Sequence, residues 1–325
     1  MKKFILDLKE KIFNNEDITH KDAYKLISID INNFDSINIL FNEANNIREK
    51  FTGKRVDLCT IINAKSGKCS EDCKYCAQSS FYKTEVNEYD LLNYSTILRR
   101  AKEMENKGAN RFSLVTSGKG LTSNDFQKLI DIYKNLNKDT NLKLCASHGI
   151  ITLHQAKALK KAGVSKYHHN LETSENYYPN ICTSHTFKDR VKTIENVKKA
   201  GLSICSGGII GLGEGYKDRI DLAFSLKELN IKSVPINILT PIKGTPFEEK
   251  TIIKPLEALK TMAVFRFIIP DGYIRYAGGR NALKDKQIQG FLSGVNAALV
   301  GNYLTTIGSG IKQDKEMIKK AGLIY

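Results

Sequence analysis

Lys68-Cys69-Ser70-Glu71-Asp72-Cys73-Lys74-Tyr75-Cys76-Ala77-Gln78 is the stretch around which the rest of the chain can be read. Its three cysteines stand at the spacing C-x3-C-x2-C, and no fourth follows nearby. Three thiolates on one short loop can hold three irons of a cubane cluster and leave the fourth iron open. An open iron can take a substrate or cofactor, so the loop suits chemistry better than a structural role. A structural zinc site normally takes four ligands, in two pairs on separate loops. The spacing alone still allows a zinc knuckle or a cluster of unrelated thiols.

Working outward, the loop follows a short apolar strand at 56–62. From there apolar strands alternate with helices of roughly 10–15 residues. The pattern predicts strands at 56–62, 111–116, 142–146, 165–170, 202–207, 233–239, 272–276 and 296–300. Helices are expected at 93–107, 123–137, 152–162, 187–200, 216–229, 255–268 and 283–293, with a last one at 312–321. Gly108, Gly163 and Gly201 stand where helices should stop. Eight strand–helix units in series predict an α/β fold, a (β/α)8 TIM-type barrel, with a doubly wound open sheet as the alternative. In a barrel the cysteine loop lies at the C-terminal face, where active sites of this fold sit. Residues 1–54 read as an N-terminal helical extension. Asp17 to Asp22 cap a helix through Ala23–Ile27, and Ile37, Leu40, Phe41, Ala44 and Ile47 share one face of another. Residues 55–325 read as one catalytic domain.

Seven cysteines, no signal-like apolar run after Lys2-Lys3, and no long apolar span together predict a cytoplasmic protein that uses cysteine for metal. The net charge of +15 comes from lysines spread along helices, without an arginine-rich or aromatic stripe. A solvated surface, or a face for an acidic electron donor, fits this better than a nucleic-acid site.

A barrel interior is normally Val, Ile and Leu. Here the predicted strands carry Arg111 and Ser113, then Cys145, then His168 and Asn170 with Glu172 beyond, then Cys205, Asn237 and Arg275. Each such group buried without a partner would cost a few kcal/mol. Their recurrence on six strands in a row predicts a ligand or second metal centre inside the barrel. Cys59 on the first strand is assigned to packing.

The cysteine loop resembles that of the radical S-adenosylmethionine (radical SAM) superfamily, and its flanks resemble the biotin synthase family. Tyr167-His168-His169-Asn170-Leu171-Glu172-Thr173-Ser174, Ile204 to Glu214, Val234-Pro235-Ile236-Asn237 with Lys243-Gly244-Thr245-Pro246, and Tyr273 to Arg280 extend the resemblance over nearly the whole chain. The glycine-rich 207–215 segment is out of register with a dinucleotide fingerprint, and is read as a close backbone approach to a ligand.

The resemblance implies sulfur insertion into dethiobiotin. Cys69, Cys73 and Cys76 would hold a [4Fe–4S] cluster whose open iron binds S-adenosylmethionine. Tyr75 and Ile209 would flank the adenine, Asn170 and Glu172 would meet the ribose, and Arg190 the methionine carboxylate. Asn237 and His168 would hold the ureido ring. His168 departs from the amide residue of many members. The family's auxiliary [2Fe–2S] cluster takes three cysteines and an arginine. Cys145, Cys205 and Arg275 match that set, but Ser113 stands at the remaining position. Serine is a poor iron ligand, so Cys182 is expected to replace it, in a [2Fe–2S] or a cubane-type cluster. A flavodoxin- or ferredoxin-type donor and a homodimer follow from the family, with neither nucleic acid nor membrane as partner. The other readings are another radical SAM barrel enzyme (a maturase, isomerase or lyase) and a non-enzymatic iron–sulfur protein.

Overall fold

The computed structural model describes residues 1–301 and 310–325. Three helices come first: α1 (Lys2–Phe13), α2 (His20–Ile27) and α3 (Phe34–Thr52). Strands and helices then alternate. The first half runs β1 (Asp57–Lys65), α4 (Tyr94–Asn106), β2 (Arg111–Thr116), α5 (Ser123–Asp139), β3 (Lys143–Ser147), α6 (Leu153–Lys161), β4 (Lys166–His168) and α7 (Phe187–Lys199). The second runs β5 (Ser203–Cys205), β6 (Gly208–Ile210), α8 (Tyr216–Glu228), β7 (Ser233–Ile238), α9 (Pro255–Ile268), β8 (Tyr273–Tyr276), α10 (Gln287–Phe291), β9 (Ala297–Leu299) and α11 (Ile311–Lys320).

Threonine caps start several helices. Thr19, Thr152 and Thr186 each accept a hydrogen bond from the backbone N–H three residues on, and Asp22, Gln155 and Asp189 return the bond. These reciprocal pairs satisfy N–H groups that a helix start leaves without partners. Gly108, Gly163 and Gly201 end α4, α6 and α7 at φ of 77°, 98° and 75°, a region that costs glycine nothing.

The strands form one parallel sheet in the order β5-β4-β3-β2-β1-β9-β8-β7-β6. Its two ends, β5 and β6, are pieces of one chain segment, so the sheet closes on itself. The Ser206 N–H donates to the Ser233 carbonyl at 3.0 Å, and the Ile209 N–H to the Glu172 carbonyl at 2.8 Å. The result is the predicted (β/α)8 barrel with its fifth strand in two pieces.

Three residues explain the break. Amides along β7 alternate in direction, and Ser233 and Leu239 bond toward β5 and β6. The missing N–H of Pro235 therefore falls on that side, where no ladder bond can form. A Cβ on Gly207 would lie 1.9 Å from the Pro235 carbonyl oxygen, and one on Gly208 would lie 2.4 Å from that of Glu172. Gly207 and Gly208 thus close against the protein's own backbone, while Ile209, next in the segment, lines the cavity inside the barrel. A second difference lies at 283–293. A 3-10 stretch (Arg280–Lys286) precedes the short α10, because Lys284, at φ 51° and ψ −126°, breaks the helix.

α9 is buried along most of its length, between the barrel and the N-terminal helices. α3 packs on α1 and α9, and α2 on α8 and α9. Each large apolar side chain buried in that layer contributes about 1.5–3 kcal/mol. Lys260 Nζ of α9 donates to the Ile29 carbonyl at 2.9 Å, and Asn296 Nδ2 donates to Thr52 Oγ1 at 3.0 Å. None of the described helices is long and apolar enough to cross a membrane.

Candidate active site

The cysteine loop leaves the C-terminal end of β1. Gly67 and Lys68 turn it at φ of 74° and 53°. The Cys69 N–H donates to the Gln78 carbonyl at 3.0 Å, the Ser80 N–H to the Cys69 carbonyl at 2.8 Å, and the Cys76 N–H to the Cys73 carbonyl at 3.0 Å. These bonds fold the loop back on itself. The charge of Cys69 bears on Cys76, and that of Cys76 on Cys73. All three are free thiols. Burial pushes Cys69 up and Cys76 up to about 11. Metal binding at such thiols displaces protons.

Below the loop lies a cavity of about 380 Å³. Ser113, Cys145, His168, Asn170, Glu172 and Cys205 all line it, as do Arg111, Asn237 and Arg275. The polar residues predicted inside the strands therefore share one chamber. Burial alone would raise Cys205, but the hydrogen bond and charge of His168, with Arg275 and Lys166, bring it down to about 6. Arg275 is anchored at the chamber floor. Its Nη2 donates to Asp57 Oδ2 at 2.5 Å and its Nη1 to the Asp57 carbonyl at 3.0 Å. Its Nε is buried and has no partner.

Cys59 also lines this cavity, which corrects its assignment to packing. Burial is the main cause that raises it, to about 12, and the charge of Cys145 comes next. Arg275 and Cys205 act on it too, so Cys59, Cys145, Cys205 and Arg275 form one group. The signal available in the sequence was position: Cys59 sits within a barrel strand, as Cys145 and Cys205 do.

Cys182 lies elsewhere. Its Sγ is 3.7 Å from that of Cys73 and 3.2 Å from Asp72 Oδ1, and it is not among the residues lining the cavity. This corrects the expectation that Cys182 stands in for the residue at Ser113. The loop after β4, which carries it, is bonded to the cysteine loop rather than turned into the barrel.

Tyr75 and Ile209 line the upper part of the cavity with Asn170 and Glu172. Asn170 Nδ2 donates to Glu172 Oε2 at 3.2 Å, and Asn170 Oδ1 accepts from the Gly207 N–H at 3.1 Å. Arg190 stands behind them, outside the cavity lining. Its Nε donates to Tyr178 Oη at 2.5 Å, its Nη1 to the Asn170 carbonyl at 3.0 Å, and its Nη2 lies 3.0 Å from His185 Nε2. Asn237 is engaged on both sides, donating to the Gly208 carbonyl at 3.1 Å and accepting from the Gly278 N–H at 2.9 Å.

One buried network drew no attention in the sequence. Tyr133 Oη donates to the Cys145 carbonyl at 3.1 Å and stands 2.9 Å from His148 Nε2. Thr116 Oγ1 stands 3.0 Å from His148 Nδ1. The tyrosine proton is committed to Cys145, so Tyr133 accepts from Nε2–H while Nδ1 accepts from Thr116. A neutral imidazole fits this arrangement, and burial pushes His148 down to about 3.

A family model for the radical SAM superfamily matches residues 64–226. One for the biotin and thiamin synthesis associated domain matches residues 235–324. A biotin synthase of Clostridioides difficile is 59% identical over 322 residues, covering 99% of each chain. A biotin synthase of Clostridium tetani is 54% identical over 323 residues, again covering 99% of each. Among solved structures, methylornithine synthase aligns with a TM-score of 0.83 at 20% identity, over 98% of this chain and 96% of that one. An [FeFe]-hydrogenase maturase aligns with a TM-score of 0.84 at 17% identity, over 99% and 75%. These two structures share the fold.

Proposed function

The chain belongs to the biotin synthase family of radical SAM enzymes, and from that premise we propose how its residues divide the work. The reaction is sulfur insertion, dethiobiotin to biotin, the last step of biotin biosynthesis. When bound, a [4Fe–4S] cluster with S-adenosylmethionine supplies a carbon-centred radical for an unactivated C–H bond, and an auxiliary iron–sulfur cluster supplies the sulfur.

Cys69, Cys73 and Cys76 would hold the [4Fe–4S] cluster, being three free thiols on one folded-back loop. Cys59, Cys145 and Cys205, with Arg275, would hold the auxiliary one. The observation that carries this is a single cavity whose strand walls bring together the free thiols of Cys59, Cys145 and Cys205 and a guanidinium whose buried Nε has no protein partner. Such a donor set suits a cluster whose sulfides accept a hydrogen bond. With Cys59 in the set, Ser113 is not needed as a ligand. Three thiolates suit a cubane-type cluster as well as a [2Fe–2S] cluster. His168, bonded to Cys205, favours the thiolate form a metal requires.

Tyr75 and Ile209 would flank the adenine, and Asn170 and Glu172 the ribose. Arg190 would meet the methionine carboxylate and also holds the Asn170 carbonyl in place. His168 and Asn237 would face the ureido ring from the cavity wall. The division into an extension, 1–54, and a catalytic domain, 55–325, is supported by α1–α3 packing outside the barrel helices. A cytoplasmic homodimer served by an acidic flavodoxin- or ferredoxin-type donor completes the reading, supported by the charge of +15.

The test is anaerobic incubation of the reconstituted protein with dithionite, S-adenosylmethionine and dethiobiotin. The expected products are 5′-deoxyadenosine and biotin. Deoxyadenosine alone would point to another radical SAM reaction, and neither product to an iron–sulfur carrier. Cys59→Ala should lose the auxiliary iron, whereas Cys182→Ala should keep it.

A further inference from the structure

Cys182 brings a fourth sulfur to a loop that needs three. Cys73 and Cys182 are both free and buried. They are 109 residues apart in the chain, yet their sulfurs are 3.7 Å apart. The approach is built into the backbone. Asp72 accepts from the N–H groups of Thr183 and Ser184 at 2.9 and 3.0 Å. Its own N–H donates to Ser184 Oγ at 3.1 Å, and the Lys74 N–H donates to the Ile181 carbonyl at 2.9 Å. The residues on either side of Cys73 are thus fastened to those on either side of Cys182. The backbone holds the two residues opposite one another. Closing them to a bond of about 2.05 Å needs only a small side-chain movement.

The geometry points to Cys182 as the resolving thiol for Cys73, closing a disulfide with it when the loop has lost its cluster. This rests on the reading that Cys69, Cys73 and Cys76 hold the cluster. The oxidant is a peroxide. It oxidises the Cys73 sulfur to a sulfenic acid as its O–O bond breaks and one water leaves. The Cys182 sulfur then displaces the hydroxyl, the S–S bond forms, and a second water leaves with the Cys182 proton. Two thiols and one hydrogen peroxide give one disulfide and two waters. The disulfide keeps Cys73 in a form that a thiol reductant restores. Without a resolving partner, a sulfenic acid goes on to the irreversible sulfinic state.

The experiment starts from the reconstituted full chain, whose iron and sulfide content and visible absorbance report the cluster reading separately. The protein is challenged with hydrogen peroxide, alkylated under denaturing conditions and digested with trypsin without reductant. The expected product joins peptide 69–74 to peptide 167–188, with fragmentation placing the link on Cys73. After treatment with dithiothreitol, iron and sulfide, the wild type should regain most of its cluster absorbance. Cys182→Ala should regain several-fold less, and its Cys73 should carry sulfinic acid. A Cys69–Cys73 link inside peptide 69–74, or Cys182 alkylated throughout, overturns the proposal. So does stoichiometric zinc on Cys73, Cys182 and His185, whose ligand atoms lie within 4.8 Å of one another. The peptide map of the wild type decides these outcomes even if the variant fails to fold.

Discussion

His148→Gln should convert a pH-dependent part of the stability into a constant one. The imidazole is buried between Thr116 Oγ1 and Tyr133 Oη and is pushed down to about 3 from its ordinary 6.5. The unfolded chain takes up a proton at this position near pH 6.5, and the folded chain does not. Between those values the unfolded state binds more protons, so stability falls as the pH falls. The slope approaches about 1.4 kcal/mol per pH unit. Integrated from pH 7 to pH 5, the loss is about 2 kcal/mol. Glutamine can keep one or both hydrogen bonds but cannot titrate. At pH 7 the variant should be less stable than the wild type by about 1–3 kcal/mol, for imperfectly satisfied buried groups. At pH 5 that gap should have narrowed by about 2 kcal/mol. Urea unfolding at both pH values measures it. A gap that does not change with pH would show that His148 titrates alike in both states, and would refute the neutral, doubly bonded imidazole.

Asp57→Asn removes the carboxylate that anchors Arg275 on the barrel floor. The variant should lose about 3 kcal/mol in urea unfolding, the lower end for breaking a buried pair, and its auxiliary cluster should bleach faster in air. Gly207→Ala places a methyl group against the Pro235 carbonyl. It should cost about 3 kcal/mol or more, with a drop in soluble yield as the first sign. Arg190→Lys cannot keep the three contacts of the guanidinium. It should raise the KM for S-adenosylmethionine about tenfold, the equivalent of roughly 1.4 kcal/mol, while an unchanged KM would leave Arg190 a structural role only.

The barrel was legible because its signals are local. Each strand is a short, largely apolar run, several helices carry a threonine cap or a glycine stop, and the order of units dictates the closure. The cavity was legible for a different reason: polar residues on six successive strands have to face something. What escaped the sequence depended on distances between segments. Cys59 and Cys182 are both isolated cysteines in apolar surroundings, and nothing within a few residues says which one faces the barrel. Strand parity and the path of the loop after β4 decide it, and both are tertiary facts. The split of the fifth strand could have been read from Pro235 together with Gly207 and Gly208, had the two strands been considered as neighbours. His148 was invisible because its partners, Thr116 and Tyr133, come from a different strand and helix.

That split also has a mechanical meaning. A closed barrel resists expansion because its ladders form a continuous hoop, and a hoop yields at its weakest link. Here the link spans Ser206 and Gly207, where the Ser206 N–H is the bond to β7 and the Ser206 hydroxyl is buried with no partner. Cys205 lies on one side of this joint and Ile209 on the other. Any outward flexing of the wall would therefore change the spacing between the floor of the chamber and the rim that carries Ile209. Amide exchange at Ser206 should outpace that of the other strand residues, and a ligand bridging the two sides should slow it.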